Sequence, residues 1–94
     1  MIFISIASLW VLAIKLILNK LEFDGGIDGF IGSVDKNKFA FLEITQEHIK
    51  TVAELPFIHR DPFDRIIIAQ AMVEGMVVAT TDEHIIKYDI SYIW

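Results

Sequence analysis

The dipeptide Asp61-Pro62 and the residue Gly75 bracket one stretch of this chain so tightly that its local structure has few alternatives. An aspartate oxygen caps the free backbone donors of a helix, and the proline after it has its φ preset and no amide hydrogen to satisfy. A helix is therefore predicted over residues 62–74, with Asp64 at its third position, where negative charge complements the helix dipole. Ile66, Ile67, Ala69, Gln70, Ala71, Met72 and Val73 make it a largely buried helix, and Gly75 ends it at the position that tolerates a left-handed backbone. The period then changes. Residues 76–79 are a short unbroken apolar run, which predicts a buried parallel strand.

Element lengths add a geometric expectation. The helix spans roughly 20 Å and a strand over residues 76–80 roughly 17 Å, so one packs back along the other. Asp64 and Asp82 are then expected on one edge of the sheet, the carboxyl edge at which open α/β sheets bind ligands. Each acid also has a plain structural explanation. Asp61 and Asp64 serve as cap and first-turn acid, and Asp82 as a first-turn acid of a short helix capped by Thr81. In combination, two acids on one edge with no Lys at a matching spacing make a seat for a hard divalent cation.

Upstream, residues 2–6 predict a buried strand and residues 8–19 a helix, in which Leu9, Leu12, Ala13, Leu16 and Ile17 recur at helical spacing. Trp10, among apolar neighbours, reads as a core anchor. Val11 falls near the start of that helix and, if its strand is parallel to the others, at the same carboxyl edge as Asp64 and Asp82. Residues 1–18 carry one charge, Lys15. The apolar stretch before it is shorter than the roughly 20 residues a bilayer span needs, and neither a basic leader nor a small-residue cleavage site accompanies it. No membrane segment is expected.

The middle of the chain is organisational. The run GGIDGFIG resembles a phosphate loop superficially, but it lacks both the following Lys-Ser/Thr and a preceding apolar strand. Ile27, Phe30, Ile31 and Val34 share one helical face, so a weak helix after a Gly-Gly turn is predicted. Residues 39–44 read as a strand. Thr45 then caps a helix that buries Ile49, Val52 and Ala53 and stops at Pro56.

Composition bounds the function classes. At 94 residues the chain is read as one domain, burying about two-thirds of its unfolded surface. Its hydrophobic content of 54% and mean hydropathy of +0.52 are high for so short a chain and point to surface meant for a partner or for a further part of the fold. The absence of Cys excludes a disulfide scaffold and a thiolate zinc site and fits a reducing cytoplasm. A net charge of −5 argues against nonspecific nucleic-acid binding through a broad basic surface. His48 is expected on the polar side of its helix and His84 is isolated. His59 and Arg60 adjoin the acidic edge, either solvated or within reach of a phosphate or a partner carboxylate.

The segment HRDPFDR, with its IAQA helix, Gly, apolar strand and TTD, resembles the C-terminal half of PIN-domain ribonucleases, specifically VapC-type toxins of toxin-antitoxin pairs. SIASLWVLAIKLILNKLEF upstream is similar to that group's S-x-x-S-L-W-E-I-A-I-K-x-x-x-G-K-L-E segment, and the closing YIW also matches, so the resemblance covers essentially the whole chain. It implies an α/β three-layer PIN-like fold with a short, mostly parallel sheet, and a metal-dependent endoribonuclease whose acidic site holds Mg²⁺ or Mn²⁺. Oxygen ligands suit those ions, which activate water and stabilise charge on the scissile phosphate. Asp64 matches the acid that opens the IAQA helix, Asp82 the acid after the penultimate strand, and Asp61 an accompanying acid. Arg65, beside Asp64, is placed to steer an RNA backbone or pin a neighbouring acid.

Two departures from the pattern carry expectations of their own. The family's acid after the Trp falls on Val11, and its first acid belongs to an N-terminal strand that, with a helical hairpin, is expected to be missing here. The expected consequences are impaired catalysis and exposed strand edges that favour a homodimer. The implied partners are an RNA substrate and a cognate antitoxin. The alternative is a catalytically silent module that binds an antitoxin or another PIN subunit.

Overall fold

Ser5 sets the boundary between the first strand and the first helix. It closes strand β1 (Phe3–Ser5), and its Oγ accepts a hydrogen bond from the Ala7 N–H at 3.1 Å, so helix α1 (Ile6–Ile17) starts there. The start expected near Ser8 lies two residues too late, because Ser5 and not Ser8 supplies the cap. Asn19 closes the helix in a left-handed conformation, φ 55°, with the Lys20 N–H returning to the Lys15 carbonyl at 2.9 Å.

The computed structural model describes residues 1–79 and 85–93 and divides into two units, Met1–Glu43 and Ile44–Trp94. In the first, α1 is followed by helix α2 (Gly26–Lys36) and strand β2 (Ala40–Leu42), which lies parallel to β1 with Phe3 opposite Ala40 and Ser5 opposite Leu42. A parallel pair needs a long crossover, and the two helices supply it. The Gly-Gly turn is as read from the sequence: Gly25 caps α2 at φ 80°. Phe23 packs edge-on against Phe30, ring centroids 5.5 Å apart. Trp10 is not the expected core anchor, being 61% exposed. α1 is apolar almost all round, and one helix can turn only part of its circumference toward a two-stranded sheet.

Two α2 glycines should respond oppositely to alanine. A Cβ on Gly29 would overlap the Asp24 carbonyl oxygen, whereas a Cβ on Gly32 meets open space. Gly32→Ala is expected to stabilise the chain by about 0.5–1 kcal/mol through helix propensity, and Gly29→Ala to destabilise it by about 1–3 kcal/mol through overpacking. Urea melts of the two variants check the sign of each.

In the second unit, Thr45 caps helix α3 (Gln46–Glu54) as predicted. The Thr45 hydroxyl accepts from the His48 N–H at 3.3 Å, and His48 Nδ1 accepts from the Thr45 N–H at 3.0 Å. His48 is therefore not solvated. It is fully buried, and because Nδ1 accepts, Nε2 carries the proton and donates to Glu74 Oε2 at 2.9 Å. A histidine with both ring nitrogens engaged can occupy the inward stripe of α3, and it rotates the helix relative to the hydropathy reading. Ile49 is 59% exposed and Ala53 is exposed, while Val52 remains half-buried.

Helix α4 (Pro62–Glu74) has the predicted bounds, ending at Gly75 with φ 66° and the Met76 N–H returning to the Ala71 carbonyl at 2.9 Å. It packs against α3. Strand β3 (Val78–Ala79) pairs in parallel with strand β4 (Tyr92–Ile93), Val78 opposite Tyr92. The parallel pairing is as expected, but the burial is one-sided: Val78 packs on a core of Ile68, Ile85 and Tyr88, while Val77, on the other face, is 54% exposed. A 3₁₀ turn, Ile85–Lys87, delivers Ile85 and Tyr88 to that core.

Candidate active site

The head of α4 gathers the described residues that carry chemistry. Asp61 is its cap. Oδ1 accepts from the Phe63 N–H at 2.9 Å and, more weakly, from the Asp64 N–H at 3.4 Å, with Pro62 filling the position where no amide hydrogen is needed. Asp64 follows one residue after Phe63, half-buried, and its Oδ2 receives His59 Nε2 at 2.8 Å. Expected to be solvated or to meet a phosphate or a partner carboxylate, His59 instead meets a carboxylate of its own segment, Asp64. Arg60 is exposed.

Arg65 has a different role from either one expected of it. Its guanidinium is buried against the C-terminal end of α3 and the residues after it: Nη1 donates to the Pro56 carbonyl at 2.9 Å, and Nη2 to the Val52 and Leu55 carbonyls at 3.0 and 3.4 Å. The last carbonyls of a helix lack intrahelical donors and carry the negative end of its dipole, so a planar cation with forked donors fits them well. The Phe57 ring lies under the guanidinium, 4.9 Å from its central carbon to the ring centroid.

Tyr88 was not anticipated from the sequence. Its phenol oxygen accepts from the Ile58 N–H at 3.2 Å, the His59 N–H at 2.9 Å and Arg65 Nη1 at 3.2 Å. The available signal was weak: a tyrosine between Lys87 and Asp89, whose polar tip needs a partner once the ring is buried. With Arg65, it pins the loop between α3 and α4 that carries His59.

Asp82, expected on the same sheet edge as Asp64, lies outside the described residues, as does His84. Val11 sits in the middle of α1, half-buried, rather than near its start. Among the described residues no helix is long and apolar enough to cross a membrane.

The PIN domain model matches residues 1–91, nearly the full length. The chain belongs to the PIN domain family. No curated protein and no solved structure matches it. PIN domain membership accounts for the small α/β fold with short parallel sheets, and it places the chain in a nuclease-type family.

PIN domains hold divalent metals, so the donor set of this one must be weighed against such an ion. Among the described residues no three of His, Cys, Asp and Glu come together. Asp64 fits as one ligand, a hard oxygen donor that uses Oδ2 for His59. Asp61 fits less well, because its Oδ1 is committed to the helix cap. The described residues thus supply one good ligand and part of a second.

Proposed function

We propose that this PIN domain is a ribonuclease of the VapC toxin type, acting in the cytoplasm on RNA, with Asp64 and Asp82 as its working acids and Asp61 as an accompanying one. The observation that carries the reading is Asp64, a carboxylate held at 2.8 Å by His59 at the head of α4, within a family match that spans the chain. When bound to these acids, Mg²⁺ or Mn²⁺ supplies an activated water and stabilises charge on the phosphate. The residues of the chain prepare for it: Asp61 fixes the first turn of α4, the turn fixes Asp64, and Arg65 and Tyr88 hold the adjoining loop. Val11, at the place where the family resemblance puts another acid, makes the proposed activity weak.

A second reading is a silent module that binds a cognate antitoxin or another PIN subunit. It is favoured by large apolar side chains left exposed, among them Trp10 at 61%, Ile17 at 78% and Leu18 at 55%. Cleavage of a mixed-sequence RNA, titrated with Mn²⁺ and quenched with a chelator, separates the two. Weak metal-dependent cleavage that rises in Val11→Glu is expected. No cleavage by either protein at saturating Mn²⁺ leaves the binding module as the better account.

A further inference from the structure

We propose that His59 is a positioning residue for the Asp64 carboxylate, held in place by the buried phenol of Tyr88. The inference rests on the reading of Asp64 as a working acid and adds how that acid is oriented. An aspartate in the first turn of a helix, with 31% of its side chain exposed, is free to turn its carboxylate unless something fixes it. His59 does so through one donor, Nε2 to Oδ2 at 2.8 Å, which leaves the other carboxylate oxygen for a ligand.

The imidazole can orient Asp64 only if it is itself anchored, and Tyr88 anchors the His59 backbone. The phenol oxygen takes both the Ile58 and the His59 N–H groups, and Tyr88 is 4% exposed in the core with Ile68 and Ile85. Arg65 secures the start of the same loop through the Pro56 carbonyl at 2.9 Å and reaches the same phenol oxygen at 3.2 Å. The His59 backbone is thus tied to the core by one hydrogen bond and its ring to one oxygen of Asp64 by another. Hydrogen bonds of this kind, one step removed from a ligand, are worth about 10–100-fold in metal affinity.

The test is Mn²⁺ binding by the full chain, followed by calorimetry, with a thermal melt of each variant as a control for folding. His59→Ala is expected to weaken Mn²⁺ binding about tenfold or more, and His59→Gln, whose amide N–H can still reach Asp64, to recover much of it. Tyr88→Phe keeps the ring packing and loses the acceptor, so it should weaken binding to an intermediate degree. His59→Ala binding Mn²⁺ within twofold of the wild type, while Asp64→Asn loses it, overturns the positioning role and leaves Asp64 as a ligand. Equal losses in His59→Ala and His59→Gln, with both folded, overturn it in favour of direct ligation by His59. Unchanged Mn²⁺ binding in Asp64→Asn overturns both the inference and the reading beneath it.

Discussion

Arg65→Ala is expected to destabilise the chain by about 2–4 kcal/mol, the largest stability effect of any single substitution considered. Hydrogen bonds to a charged donor contribute about 1.5–3 kcal/mol, and truncation leaves their acceptors unmet inside the protein. The Leu55 and Pro56 carbonyls would lose the Arg65 donor, the Val52 carbonyl would keep only the Leu55 N–H at 3.2 Å, and Phe57 would lose the cation above its ring. A chain of this length has about 5–14 kcal/mol of stability in all, so the loss is a large share of it. Arg65→Lys is expected to recover less than half, because one ammonium cannot match a fork that spans carbonyls of Val52 and Pro56. Urea melts followed by far-ultraviolet circular dichroism measure both. An Arg65→Ala cost below about 1 kcal/mol would mean that water takes over the Leu55 and Pro56 carbonyls without penalty.

This clamp also shows where sequence reading reaches its limit. Boundaries set by local chemistry were legible: Asp61-Pro62 and Gly75 gave α4 its bounds, and Thr45 gave α3 its start, because a cap and its donors lie within a few residues of each other. Polar residues whose partners are distant were not. His48 meets Glu74 across 26 residues and Arg65 meets Tyr88 across 23, so each looked like a solvated or substrate-facing group until folding supplied its partner. The same blindness rotated α3, since a hydropathy stripe assigns Ile49 to the core and has no means of placing a satisfied histidine there. Trp10 failed for a different reason: in a helix that is apolar almost all round, periodicity cannot choose the face. Of the candidate site, the residue types, the cap and the nearness of His59 to the acidic edge were legible, but not the His59–Asp64 bond itself. The anchoring of His59 by Tyr88 depends on tertiary contact and was not legible either.

Asp64→Asn should separate the structural role of this residue from the chemical one. The carboxamide keeps the shape of the side chain, and its oxygen still accepts from His59 Nε2, so the contact at 2.8 Å can survive. The structural loss is then the charge in the first turn of α4, worth about 0.3–1 kcal/mol at a helix N-terminus. The chemical loss is far larger if the charge holds a divalent ion, since several kcal/mol of stabilisation at the phosphate corresponds to a rate loss of about 100-fold or more. Measured in the Val11→Glu background, where cleavage is expected to be strongest, Asp64→Asn should therefore melt close to its parent and cleave RNA about 100-fold or more slowly. Asp61→Asn is the internal contrast. Asparagine caps a helix about as well as aspartate, so this change should leave stability nearly intact and cost cleavage much less than Asp64→Asn does. Equal rates in Asp64→Asn and its parent would reduce Asp64 to a first-turn acid, and the head of α4 to a well-capped helix.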